Sequence, residues 1–476
     1  MKRYVFVIVA VLSFGNVLFS AEPKGSGSFT LTGRIATLES GNLMVNAVLG
    51  HRELTIAETQ TDLLGNFKFE FPPTTATGQY RLRFESGNNE AAIDLILYGG
   101  DIELFTHASA PTDSLQLAIS PANVFMLEYF RTQELVQQRL SILDHILNIY
   151  PEDERFYPQI IAEFNLLQDE MQAKVQKAIK DFKGTFAERY ILSDRSPRLD
   201  PTIPQQERLQ YFRTHFLNYV DFSDTALLRS DLFSHKAITY LMLHRNPRYD
   251  LETQAQEFIR GVDFLLPVAS IEPSVFNYLL EYVISGFEQI GLDKVLSHIA
   301  QNYRTMEGCL FDTGAAELER RMEGYRKLVV GKKAPNIKDV EINGTQFDLS
   351  ELPFARKLII FWASWCPHCI EMLPAIATYQ LAFNARQQNN EDRLLVVAVS
   401  IDVDEQAYLN YLSSNQLNHS DMHSVWLNVR DGLGWDGKTA TDFYLHATPT
   451  MLLLDRDLNI LLKPGSVAEL RTYLGI

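Results

Sequence analysis

Trp365-Cys366-Pro367-His368-Cys369 is the one short run in this 476-residue chain whose residue types and spacing can do chemistry. It is reached through the apolar stretch from Lys357 to Trp362, which reads as a buried strand. Two thiols separated by two residues, where a strand gives way to a helix, form a thiol–disulfide arrangement. The helix start supplies unpaired N–H groups and a positive dipole end that stabilise a thiolate on the first cysteine. The second cysteine, one turn on, is placed to attack a mixed disulfide and release the partner. A second landmark, Thr448-Pro449-Thr450, opens the apolar run from Met451 to Leu454.

These thiols must be held by a sheet and a helix, and the last third of the chain supplies both. Residues 331–476 read as an α/β unit opened by Gly331-Lys332-Lys333-Ala334-Pro335. The spacing predicts a hairpin with an Asn343-Gly344 turn and strands at 357–362 and 394–400. A helix starts at Cys366, another covers 405–412, and a short strand lies near Val425-Trp426. Strands at 450–455 and 458–463 and a helix after Ser466 complete the unit. A β-α-β half followed by a β-β-α half is the order of a thioredoxin-like sheet, with both landmarks at element ends.

Two further segments precede it. Residues 22–112 show period-two alternation, as in Phe67-Lys68-Phe69-Glu70-Phe71 and Tyr80-Arg81-Leu82-Arg83-Phe84. About seven short strands predict a small antiparallel β-sandwich, with Gly65 in a tight turn. Residues 118–328 read as all-α: Ser120-Pro121 is a helix start signal, and apolar positions recur at helical spacing from Phe125 to Ile146. Helices are expected near 156–182, 205–219, 225–244, 252–265, 273–288, 292–303 and 314–328. No constant repeat period appears, which argues against a solenoid. His51 and His107 stand alone and read as surface residues.

Only three cysteines occur, so the chain is no disulfide framework, and two of the three sit in one motif. A structural zinc site needs four ligands, and no second CxxC or HxxxH lies nearby, so no metal is expected. The third thiol, Cys309, reads as a small buried hydrophobe, with no cation or helix start to activate it.

Residues 1–21 read as a secretory signal peptide: Lys2 and Arg3, an apolar run from Tyr4 to Phe19, then Ser20-Ala21. The run is interrupted by Ser13, Gly15 and Asn16 and falls short of the roughly twenty apolar residues of a span. No cysteine stands where lipid attachment would need one. The expected location is the periplasm, where disulfides persist. Without Lys2 and Arg3 the 43 basic residues become 41 against 59 acids, a net charge of about −18. Such a balance argues against nucleic acid and anionic lipid as partners.

Phe361-Trp362-Ala363-Ser364-Trp365-Cys366-Pro367-His368-Cys369 with Ala447-Thr448-Pro449-Thr450 resembles the thioredoxin superfamily, in its extracytoplasmic TlpA/ResA-like branch. Gly331 to Pro335, the hairpin and Pro374 fit that branch. The β segment with Asp62-x-x-Gly65-x-Phe67-x-Phe69 looks like the N-terminal β domain often fused to such modules in Bacteroidetes, and the central helices are similar to their linker region. The resemblance implies Cys366 as attacking cysteine, Cys369 as resolving cysteine, and Pro449 as a cis-proline that presents the Thr448 backbone to an extended substrate. Trp365, Pro367 and His368 join Thr448 and Pro449 as substrate-binding residues. The implied activity is disulfide exchange with protein cysteines, without cofactor, with a membrane or periplasmic redox protein as electron donor.

Two departures matter. Typical thioredoxins carry a buried Asp in the first strand, whereas Leu358-Ile359-Ile360-Phe361 offers no acid. The branch places Glu three residues after the second cysteine; here Met372 stands there and Glu371 precedes it. Pro367-His368 resembles the dipeptide of the oxidant DsbA, while the scaffold points to a reductase. The reductase reading is preferred because the scaffold resemblance covers more residues. A peroxidase reading lacks its Thr-x-x-Cys pattern, since Ala363-Ser364-Trp365 precedes Cys366. A scaffold protein working through its first 328 residues is the reading from another class, and an intact CxxC with an intact Thr-Pro argues against it.

Overall fold

The computed structural model describes residues 27–87, 89–307, 315–341, 344–417 and 425–475. The expected signal peptide, Cys309 and Asn343 lie outside the described residues. The chain divides into two compact units, one running through Val283 with Met306 and Glu307, the other beginning at Ile284.

The first unit starts with strands β1 (Phe29–Ala36), β2 (Asn42–Leu49), β3 (Arg52–Gln60), β4 (Asn66–Phe71), β5 (Gly78–Ser86), β6 (Asn89–Leu97), β7 (Ile102–His107) and β8 (Gln116–Leu117). They form two four-stranded sheets, in the orders β4-β1-β7-β8 and β3-β2-β5-β6. Alternation dictates the packing: Phe67, Phe69 and Phe71 point inward to meet Leu31, Leu43, Leu82 and Phe84 in one shared core. The sandwich is not purely antiparallel, because β1 pairs parallel with β7. That pairing is non-local, and alternation within each strand carries no information about it.

At the β3–β4 connection Asp62 Oδ1 accepts hydrogen bonds from the backbone N–H groups of Leu64 and Asn66. Gly65 there has φ of +82°, and a Cβ on it would lie 2.1 Å from the carbonyl oxygen of Ile35. Gly65→Ala is therefore expected to destabilise the sandwich by about 2–4 kcal/mol, through left-handed strain and a backbone clash. Thermal unfolding checks this, and a midpoint equal to wild type contradicts it.

Helices α1 (Pro121–Ile149), α2 (Tyr157–Asp181), α3 (Phe186–Asp194), α4 (Gln205–His215), α5 (Leu232–Met242), α6 (Leu251–Ala269), α7 (Pro273–Gln289), α8 (Asp293–Asn302) and α9 (Ala315–Lys327) come next in the chain. As the sequence indicates, Ser120 caps α1 by accepting from the Asn123 N–H. Two features depart from expectation. The nine-residue α3 appears, capped by Thr185, and the helix expected at 225–244 is broken. A 3₁₀ turn at Thr225–Arg229 precedes α5, with Ser230 in extended conformation between them. Inside this region Lys236 pairs with Asp194 at 3.1 Å, both almost fully buried, and Tyr129 Oη donates to the same carboxylate at 3.0 Å. No helix of the described residues is long and apolar enough to cross a membrane.

The second unit holds the α/β fold: β9 (Lys338–Val340), β10 (Gln346–Asp348), β11 (Arg356–Trp362), α10 (Pro367–Asn384), β12 (Leu394–Ser400), α11 (Glu405–Ser414), β13 (Trp426–Arg430), α12 (Lys438–Asp442), β14 (Thr450–Leu454), β15 (Ile460–Leu462) and α13 (Val467–Leu474). β9 and β10 pair antiparallel as the predicted hairpin. The main sheet runs β13-β12-β11-β14-β15, with β11 parallel to β12 and antiparallel to β14. Its central strands are buried on both faces, and Leu358 through Trp362 are fully inaccessible. Each such side chain contributes about 1.5–3 kcal/mol relative to exposure, which makes β11 a rigid support for the turn and helix at its C-terminal end. The first strand of the α/β fold, β9, begins at Lys338. The compact unit itself is larger and takes in residues 284–305 together with α9.

Candidate active site

β11 ends at Trp362, and a short turn through Ala363, Ser364 and Trp365 leads to Cys366, the N-cap of α10. Pro367 occupies the first helical position, where a missing N–H costs nothing. The Cys369 backbone N–H donates to Cys366 Sγ at 3.4 Å, so a helix-start donor and the dipole both face this sulfur. On its other side Cys366 Sγ lies 3.4 Å from the carbonyl oxygen of Thr448. The Thr448–Pro449 peptide bond is cis. The fold thus brings Cys366, Cys369, Thr448 and Pro449 together, although 82 residues separate Cys366 from Thr448.

The two thiols are both free and differ in environment. Cys366 is 5% exposed and Cys369 0%. Burial, followed by the hydrogen bond with Cys366, pushes the Cys369 thiol up to about 12. Trp365, Pro367 and His368 are exposed around this point. The Trp365 ring centroid lies 6.4 Å from that of Trp435.

Four further positions at the site belong to no motif that the sequence displays. Asp402, 1% exposed, accepts from the Ser364 N–H at 2.9 Å, from Ser364 Oγ at 2.8 Å and from Ser400 Oγ at 2.7 Å. It fixes the turn just ahead of Cys366. The one signal for it is an acid directly beyond the end of a parallel strand, where sites on open α/β sheets collect. Tyr411 donates to the Ile370 carbonyl at 3.1 Å and its ring packs at a tilt against Trp362. Its hydroxyl is pushed up to about 12 by burial and then by Cys369. Trp435 comes directly after Gly434, between β13 and α12. His446, three residues before Pro449, sits among side chains from α7 and α9, a grouping for which the sequence offers no signal.

Glu371 is exposed and Met372 packs partly buried against the core, as a one-residue shift of about 100° around a helix requires. Lys357, the second residue of β11, is fully buried, its ammonium donating to the carbonyl oxygens of Leu349 and Arg456 at 2.9 Å each. Burial lowers its affinity for the proton. It stands at the opposite end of the strand from the cysteines.

Residues 329–463 match the model of the Redoxin family. No curated protein matches the chain. Among solved structures, the chain is similar to a thioredoxin-like protein from Bacteroides caccae, at 20% identity over 59% of this chain and 97% of that one, with a TM-score of 0.39. It is also similar to a domain of a possible thiol-disulfide isomerase from Cytophaga hutchinsonii, at 26% identity over 31% and 92%, TM-score 0.27. A thiol-disulfide oxidoreductase from Bacteroides fragilis matches at 25% identity over 30% and 97%, TM-score 0.25. The Redoxin match spans the CxxC motif and the cis-proline, and the strand order around them is that of a thioredoxin-like α/β domain, so residues 329–463 are a Redoxin-type domain of thioredoxin-like fold.

Proposed function

We propose that the protein exchanges disulfides with protein cysteines through Cys366 and Cys369, in the reducing direction, in an extracytoplasmic compartment. The observation that carries this reading is the position of Cys366 Sγ between the Cys369 N–H and the Thr448 carbonyl, at the start of α10. Cys366 attacks one sulfur of a substrate disulfide as a thiolate. The S–S bond breaks, the leaving sulfur takes up a proton, and a mixed disulfide forms. Cys369 then gives up its proton and attacks Cys366 Sγ, which releases the second substrate sulfur as a thiol. Two electrons and two protons pass to the substrate, and the enzyme is left with a Cys366–Cys369 disulfide. A periplasmic or membrane dithiol protein would restore the reduced form, and no cofactor takes part.

Pro367-His368 favours a second reading, an oxidant that runs the same steps backwards. The reduction potential of the Cys366/Cys369 pair separates the two. A value near about −270 mV supports the reductase, and one near about −120 mV the oxidant. Insulin-disulfide reduction by the full chain is expected alongside the lower value. Absence of exchange with any disulfide substrate would sink both readings.

A further inference from the structure

We propose that Arg320, Tyr325 and Glu288 are positioning residues for the substrate-docking backbone at Thr448, acting through Leu445 and His446. The inference rests on the reading of Cys366 and Thr448 as the exchange site. The three residues themselves lie outside the matched segment 329–463 and reach into it at Leu445 and His446.

The segment from Tyr444 to His446 leads directly into Ala447-Thr448-Pro449. It is held by side chains from α9 and from the last turn of α7, all within the second compact unit. Arg320 Nη2 donates to the Leu445 carbonyl at 2.9 Å, its guanidinium oriented by two hydrogen bonds to Glu317, each 2.9 Å. The Tyr325 hydroxyl lies 2.9 Å from Glu288 Oε1 and 3.1 Å from His446 Nε2, and His446 Nε2 is 3.3 Å from the same carboxylate oxygen. Arg321 in turn grips Glu288. Lys327 Nζ reaches the Tyr444 hydroxyl at 2.8 Å.

α9 approaches this loop closely because residue 324 is glycine. A Cβ there would lie 2.8 Å from the Cβ of Tyr444. The sheet alone does not fix a loop of this kind, since residues between the end of α12 and the start of β14 have no ladder partner among the described residues. Hydrogen bonds from α9 supply the missing constraint, and the carbonyl that meets Cys366 Sγ lies two residues beyond His446. Arg320, Glu317 and His446 also line a cleft of about 390 Å³ with Trp435, Asp436 and Thr441. Trp435 in turn neighbours Trp365, next to the attacking cysteine. Polypeptide flanking a bound disulfide would run along this wall, whereas a small disulfide needs only the sulfurs.

That difference supplies the test. Tyr325→Phe keeps the ring and removes one hydroxyl; Arg320→Gln removes the donor to Leu445. Each is made in the full chain, checked for a wild-type circular dichroism spectrum, and assayed with the disulfides of insulin and with hydroxyethyl disulfide. The expected result is a KM for insulin raised about three- to tenfold, with kcat changed less than about twofold, as suits loss of one docking constraint. Rates with hydroxyethyl disulfide stay at wild type. Hydrogen exchange of the 444–448 amides is expected to quicken in both variants. Equal losses with both substrates, or an unchanged KM with unchanged amide exchange, would overturn the proposal. A wild-type protein inactive towards both disulfides would instead overturn the exchange reading, and faster amide exchange in the variants would still register the anchoring.

Discussion

Replacing Cys369 with serine is expected to cut turnover with protein disulfides by about two orders of magnitude and to trap partners covalently on Cys366. The reason lies in the last step of exchange. Cys366 is at the helix start with a backbone N–H on its sulfur, so it still attacks, but nothing remains to attack the mixed disulfide. Cys366→Ser is expected to be equally inactive and to trap few partners or none, because Cys369 is wholly inaccessible. In the reduced wild-type protein, iodoacetamide near neutral pH should label Cys366 far faster than Cys369, whose thiol is pushed up to about 12 by burial. The same shift has a sign for stability. Folding raises this pKa above its value of about 8.5 in an open chain, so it favours the protonated thiol. That contribution is complete below the unfolded value and is lost as pH rises through it towards 12. Mass spectrometry of labelled peptides decides the matter. Equal labelling of the two thiols, or partner trapping confined to the Cys366→Ser protein, would refute this division of labour.

Asp402→Ala should be the most damaging change that touches neither cysteine nor the Thr-Pro loop. The carboxylate accepts from the Ser364 N–H and from the hydroxyls of Ser364 and Ser400, and its removal strands these donors in a buried turn. Hydrogen bonds to a charged acceptor contribute about 1.5–3 kcal/mol each, and orphaned buried donors cost a further fraction. A loss of about 3 kcal/mol is expected, a drop of roughly 6–12 °C in the thermal midpoint for a unit of this size. Exchange turnover should fall about tenfold as well, because the Ala363–Ser364 turn sets where Cys366 enters the helix and small misplacement is amplified in rate. Asp402→Asn keeps the shape and one acceptor oxygen, and should lose about half as much stability. Differential scanning calorimetry with an insulin-reduction assay reads both effects, and a wild-type midpoint with wild-type turnover for Asp402→Ala would show the network to be dispensable.

The chemistry and its frame are written locally in the chain. Cys366 and Cys369 sit one helical turn apart, and the apolar run before them can only be a strand buried on both faces. That spacing and that run involve neighbouring residues, so the strand, the helix start and the order of elements from 331 onward were legible. The period-two alternation of β4, β5 and β7 likewise announced the sandwich, since each residue's face follows from its neighbour's. What alternation cannot carry is which strand lies beside which. The parallel pairing of β1 with β7 therefore emerges only when the sheets assemble. So does the break before α5, where the apolar spacing runs on but Ser230 is extended between the 3₁₀ turn and the helix.

The surroundings of the thiols depend on the fold in the same way. Asp402 is an ordinary acid in the sequence and becomes the hub of the pre-cysteine turn only because parallel pairing aligns Ser400 with Trp362. Arg320, Tyr325 and Glu288 are ordinary positions on amphipathic helices. They reach Leu445 and His446 because α9 and the last turn of α7 pack in one unit with the sheet, across more than a hundred residues of chain. Chemistry written in adjacent residues can be read in order. Contacts made by packing distant segments depend on the energy of the whole core, and no window of the sequence contains it.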